Sequence, residues 1–269
     1  MKKTTRLCIL AFLITLAAAS YQRITGPTYP VRGKVTLDGK SYAYRLPRSD
    51  DNVGDCPVRL PGFELSIQGD ITYRRLGTGE PWQTAAMSRD QLDLIGYLPH
   101  QPTAGDLEYY VTLMSKSGLK TIRKEDPIQI RFHSRVPKIV FIPHVFFMFA
   151  AMWTSTLAGL LAWFKEPRYK RMAWVTVGLL IIGGMMLGPL MQHYAFGEYW
   201  TGVPFGYDLT DNKTLITLVC WVIAALADWK KDRRGWIIAA AIILLAVYSI
   251  PHSVLGSKLD YSTMKVKTG

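Results

Sequence analysis

The sequence predicts a bundle of four membrane helices plus an N-terminal signal or anchor, carrying an extracytoplasmic all-β immunoglobulin/fibronectin-like sandwich. Three observations lead there. The chain starts with a basic tip and an apolar run, alternates apolar and polar residues from Ser20 to Val136, and carries long apolar stretches broken by short charged ones from Lys138 onward. The shift of composition near Pro137 divides the 269 residues in two. The expected parts are residues 1–19 as signal peptide or signal anchor, 20–136 as the β-sandwich, 137–256 as the four-helix transmembrane domain and 257–269 as an extracytoplasmic tail.

Met1-Lys2-Lys3 through Arg6, followed by Leu7–Ala19, has the form of an export signal, and Ala17-Ala18-Ala19 offers a small-residue cleavage site. Whether cleaved or kept as an anchor, it places the chain from about Ser20 on the far side of the membrane. There Val31, Gly33, Val35 and Leu37 alternate up to Asp38-Gly39, and Tyr42, Tyr44 and Leu46 alternate after it, the pattern of a tight hairpin with a type I′ turn. Further strands are expected at Glu64–Tyr73, Asp106–Met114 and Ile128–Phe132, with turns at Gly77-Thr-Gly79 and Lys116-Ser-Gly118. About seven short strands fit a sandwich of immunoglobulin or fibronectin type III character, without the cysteine pair of true immunoglobulins. Such a domain ordinarily binds or spaces something, so an extracytoplasmic protein partner is the expected contact.

Four apolar stretches follow, Ile139–Phe164, Met172–Met191, Leu215–Trp229 and Trp236–Ile250. The first two are long enough to span a hydrocarbon core, and the last two are expected to extend into flanking residues such as Thr214 and His252–Leu255. Lys165, Arg168, Lys170 and Arg171 separate the first pair and Lys230, Lys231, Arg233 and Arg234 the last pair, whereas 192–213 has only Lys213 against Glu198, Asp208 and Asp211. The excess of Lys and Arg on cytoplasmic loops then puts both basic loops inside. Loop 192–213, the soluble domain and the C-terminus fall outside, in a membrane expected to be the bacterial inner one.

The net charge of +12 reports this topology rather than nucleic acid. Residues 20–136 hold 16 Lys/Arg against 13 Asp/Glu, and the surplus lies in the tip, the loops and the tail, with no basic stripe interleaved with aromatics. Of the cysteines, Cys8 and Cys220 sit in apolar stretches, and Cys56 is alone in the soluble part, so no disulfide framework or zinc spacing exists. No nucleotide loop, nucleophile motif or zinc-protease helix is visible, and no reaction can be read. Asn212-Lys-Thr214 matches a glycosylation sequon without meaning in this setting, and Gly184-Met-Met-Leu-Gly188 is a small-residue pair for close helix packing.

Of five histidines, His144, His193 and His252 flank membrane segments at what the topology makes outer helix ends, while His100 and His133 stand alone in the soluble part. The three are either interfacial residues bonded to helix ends or ligands of one metal or haem iron, imidazole being the commonest such side chain. Met148 and Met191 could add thioethers for copper, although helix-spaced methionines ordinarily pack. The stretch His193–Lys213 carries Tyr194, Phe196, Tyr199, Trp200, Phe205 and Tyr207 among Gly197, Gly202 and Gly206. Flat rings on a tightly folding backbone can cover a planar apolar ligand, and Glu198, Asp208, Asp211 and Lys213 can fix propionates, waters or a partner's charges; an aromatic belt at the bilayer surface is the competing reading.

Phe196-Gly197-x-Tyr199-Trp200, followed by Asp208 and Thr214-Leu215-Ile216, resembles the tryptophan-rich haem-handling segment of the membrane cytochrome c assembly proteins. The resemblance covers about residues 140–256. It implies haem held at the outer face, with His144 and His252 as iron ligands and Trp200, Tyr207 and Asp208 in the haem platform. Thr201–Gly206 interrupts the family's pattern, the loop holds a single tryptophan, and His193 has no counterpart there. Three roles follow as expectations: haem binding for cytochrome c assembly or electron transfer, a non-enzymatic scaffold subunit of a membrane complex, or copper binding.

Overall fold

The computed structural model describes residues 3–252, 254 and 256–267, which form a helical unit and a sheet unit. The helical unit takes the N-terminal helix together with Val136–Ser257, and the sheet unit takes Thr28–Arg135 together with Lys258–Lys267.

Five helices build the first unit: α1 (Lys3–Thr25), α2 (Lys138–Trp163), α3 (Tyr169–Phe196), α4 (Leu209–Trp229) and α5 (Arg234–Ser249). The first four are long and apolar enough to cross a membrane, and α5 is a shorter apolar helix. Their core joins Leu161, Leu180, Trp221, Ile237 and Leu244. Small residues set the approach. A Cβ at Gly159 would lie 2.6 Å from the Ala241 Cβ, and one at Gly184 would lie 2.5 Å from Thr214 Cγ2, so α2 meets α5 and α3 meets α4 at distances only glycine permits.

α1 is packed into this bundle. Leu7, Ala11 and Thr15 recur every four residues and are its buried stripe. The Trp153 indole donates to the Cys8 carbonyl at 3.2 Å, Lys3 pairs with Glu166 at 3.0 Å, and Gln22 donates to the Ile250 carbonyl at 3.2 Å. These contacts would be lost if α1 were removed as a signal peptide. Intact-mass measurement of the purified protein is expected to find α1 still attached, and a chain beginning at Ser20 would refute this.

Three boundaries differ from the sequence reading. α4 begins at Leu209, not Leu215, because Asp208 caps it, and α3 runs on to Phe196. The connecting loop is therefore 197–208, with His193 inside α3 and Lys213 inside α4. α5 stops at Ser249 ahead of Pro251, short of the expected extension to His252–Leu255, of which Ser253 and Leu255 lie outside the described residues.

The sheet unit contains β1 (Val31–Leu37), β2 (Lys40–Leu46), β3 (Ser49–Asp50), β4 (Cys56–Leu60), β5 (Gln68–Arg75), β6 (Gln83–Ala86), β7 (Ser88–Asp90), β8 (Asp93–Leu98), β9 (Asp106–Ser115), β10 (Gly118–Ile122) and β11 (Ile128–Phe132). β1 and β2 form a hairpin whose turn residues Asp38 and Gly39 both have positive φ (50° and 80°), as a type I′ turn requires. The largest sheet runs β3-β11-β9-β5-β6 with β10 on β9, and β4-β8-β7 forms another. Leu46, Val58, Ile71, Leu98, Val111 and Phe132, from both sheets and the hairpin, share one core. Within it Arg131 and Asp106, opposite one another on β11 and β9, form a two-pronged pair at 3.0 and 3.1 Å.

The tail is part of this unit. β12 (Lys258–Asp260) and β13 (Lys265–Lys267) pair as a hairpin. Leu259 N–H bonds the Ala104 carbonyl at 2.8 Å, and the Tyr261 hydroxyl lies 3.1 Å from Gln101 Oε1 and 3.2 Å from the Asp106 carbonyl.

Candidate functional site

The loop 197–208 closes the end of the helical unit opposite the basic loops, and its fold is organised by two carboxylates. Gly197 ends α3 in the left-handed conformation (φ 86°) with its N–H on the His193 carbonyl at 2.8 Å, a turn that disfavours any side chain. Asp208 Oδ1 accepts from Thr210 N–H at 2.8 Å and caps α4, while Oδ2 accepts from Ser257 N–H at 3.0 Å. Asp211 Oδ2 gathers Thr201 N–H at 2.7 Å and Gly202 N–H at 3.1 Å, and Asn212 Oδ1 takes Val203 N–H at 2.8 Å. Gln192 reaches Thr201 from α3, and the Ser257 hydroxyl lies 3.1 Å from both Thr201 Oγ1 and Asp208 Oδ2. Asp208 and Asp211 are buried; the Asp208 carboxylate is bonded to the first turn of α4 and to Ser257, and that of Asp211 to the loop's own backbone.

The consequence is an inside-out loop, with polar groups inward and rings outward. Phe205 is 79% exposed and Tyr207 76%, and Tyr199 and Val203 are about half exposed. Phe196 and Trp200 are half-buried, and the Trp200 indole donates to the Val203 carbonyl at 3.1 Å. Lys213, 3% exposed, donates to the Ile250 and Pro251 carbonyls at 2.8 and 3.4 Å. A cation on the carbonyls just past the end of α5 is favourable, and it ties the start of α4 to that end.

The histidines divide. His144 is half-buried on α2, and its Nδ1 lies 2.9 Å from the Gly183 carbonyl. A carbonyl only accepts, so Nδ1 carries the proton, and in the neutral ring Nε2 keeps its lone pair. The free carbonyl has a local cause. Residues Ile181–Met186 of α3 are π-helical, so Leu187 N–H bonds the Ile182 carbonyl instead of that of Gly183, which turns to His144. His193 is held similarly, with Nδ1 3.2 Å from the Gly197 carbonyl, and its ring stacks on Tyr199 at 4.0 Å with 2° between planes. His252 is exposed, three residues past α5, within electrostatic reach of His144, Lys213 and Asp208. Met148 lies beside Gly183, with its sulfur 3.0 Å from where a Cβ would be, and Met191 is half-buried.

Among the described residues no group of three or more His, Cys, Asp or Glu is placed to hold a metal ion. The structure thus brings His144 near His252 and pairs His193 with Tyr199. It also adds Thr201, Gln192, Ser257 and Gly183, which sequence reasoning did not single out. The spacing Asp208-x-x-Asp211, acidic residues at a cap and three positions on, was a usable signal for the helix start. A scan of the known family models gives no match to this chain and a search of the curated proteins gives none, so the reading below rests on geometry.

Proposed function

We propose that this protein is a haem-binding integral membrane protein, in which His144 and His252 would hold the iron and the exposed rings of loop 197–208 would cover the macrocycle. The observation that carries it is the His144 ring: an Nδ1–H held by a backbone carbonyl, with no hydrogen bond to Nε2 among the described residues, is how ligating histidines are oriented toward a metal. Haem also asks for only one or two protein ligands, which suits a site without a three-ligand cluster better than copper does. When bound, haem would supply one-electron chemistry or be carried as cargo, as the resemblance to cytochrome c assembly proteins suggests. The chain's own part is to orient His144 and cover the macrocycle with Tyr199, Trp200 and Tyr207. Asp208 acts on this reading through the backbone it folds. Detergent-purified protein expressed with ample haem is expected to show a Soret band that His144→Ala and His252→Ala remove while the protein stays monodisperse; a colourless wild type refutes the proposal.

The same reading places loop 197–208, the sheet unit and the tail outside a bacterial inner membrane, with the basic loops in the cytoplasm. Supporting it, four helices lie between β11 and β12, and with the short α5 taken as a crossing their even number returns the chain to the side of the sheet unit that the tail joins. We read the sheet unit as a sandwich of immunoglobulin or fibronectin type III character that docks an extracytoplasmic protein. A scaffold role without haem is favoured by the exposure of Phe205 and Tyr207, which suits contact with a partner's helices. A complex that survives replacement of His144, His193 and His252 together would favour that second role.

A further inference from the structure

At the basic end of the helical unit, Asp228 and Lys170 frame a second site. The Asp228 side chain on α4 is almost fully buried. Its Oδ1 accepts from Arg233 N–H at 2.6 Å and lies 3.2 Å from the Tyr169 hydroxyl. Its Oδ2 has, among the described residues, only the Lys170 ammonium at 3.7 Å, beyond hydrogen-bond length. Lys170 directs a proton to the Asp228 carbonyl at 3.1 Å and stays half-exposed, with further N–H groups to offer. Beside this pair lies a cavity of about 140 Å³, walled by Ala173, Ala225 and Ile237 and by the Trp174 and Trp229 rings, which meet edge to face at 5.2 Å.

A carboxylate oxygen of a buried side chain that opens on a cavity and is short of protein donors favours a ligand that brings N–H groups, and indole rings favour that ligand being a cation. A cation alone would meet repulsion from Lys170, and an anion alone repulsion from Asp228. A small group carrying both an ammonium and a phosphate satisfies both, and a bilayer supplies one at the depth where helices end in tryptophan and basic residues.

We propose that this cavity binds the head of an amine-bearing zwitterionic phospholipid, its ammonium on Asp228 Oδ2 beside the indoles and its phosphate on Lys170. The site is independent of haem. Phosphatidylethanolamine offers N–H donors, phosphatidylcholine has none on its quaternary nitrogen, and phosphatidylglycerol lacks the cation.

Native mass spectrometry of the full-length protein, with these three lipids on identical acyl chains, tests it. One phosphatidylethanolamine is expected to be retained, with the other two held about tenfold more weakly, the loss of one charge-assisted hydrogen bond. Lys170→Gln and Trp229→Ala, both at the exposed side of the cavity, are expected to lower retention by a similar factor. They carry the test if Asp228→Asn, which also weakens the Arg233 cap, fails to fold. Equal retention of all three lipids, or phosphatidylethanolamine retention unchanged in both variants, overturns the proposal. Soluble phosphoethanolamine is expected to compete with the lipid; binding of the soluble compound with no lipid retained would overturn the lipid as the source.

Discussion

Replacing Asp211 by alanine is expected to unfold the loop 197–208 and to cause the largest loss of stability of any single change at that end of the bundle. Thr201 and Gly202 are both buried, and both of their N–H groups end on Asp211 Oδ2. Each buried donor left without an acceptor costs about 1–3 kcal/mol, so the pair costs about 2–6 kcal/mol. Thermal melting of the full-length protein in detergent should show the shift, and limited proteolysis should cut within 197–208. Asp211→Asn keeps an acceptor oxygen and is expected to lose much less. If alanine and asparagine behave alike, the two N–H groups are not what Asp211 holds. If neither changes the melt, the carboxylate-organised loop is wrong.

Arg131→Met is expected to destabilise the sheet unit by about 3–5 kcal/mol, because it strands a buried carboxylate. Arg131 and Asp106 are each about nine-tenths buried and bond through two parallel contacts. Removing one partner costs more than the pair contributes, since the remaining charge cannot reach water. The double variant Arg131→Met with Asp106→Leu removes both charges and is expected to recover most of the loss. Protease resistance of the sheet unit within the full chain, followed against urea, measures all three proteins. A double variant no more stable than the single one would place the loss in packing rather than in the stranded charge.

Much of the framework was legible because it is written locally. Asp38-Gly39 needs positive φ at two successive residues, and few other pairs accept that, so the β1–β2 hairpin stood out. β9 and β11 were marked by period-two burial, and α2 by an apolar run flanked by charge. β4 has the same alternation, Cys56, Val58 and Leu60 inward, but Pro57 hid it. That proline is tolerated because β4 is the edge of its sheet, and edges are a property of the assembled sheet. The first turn of α4 was missed because Thr210, Asp211, Asn212 and Lys213 look like loop when their partners are unknown.

The site shows the same division. Which histidines sit at helix ends followed from hydropathy and charge, since both are read along a single stretch of chain. Which nitrogen of His144 is free did not follow, because it depends on a π-helical turn 39 residues away. Asp208 and Asp211 were expected to face a ligand; Asp211 instead takes N–H groups of the loop, and Asp208 takes those of the first turn of α4 and of Ser257, 49 residues away. The sequence by itself determined the helices, the hairpin and the ring-rich loop, all products of short periodicities and turn chemistry. Only the tertiary structure decided the direction of the polar groups, because a buried acceptor must take whichever donor packing brings to it, and packing joins residues that the chain keeps apart.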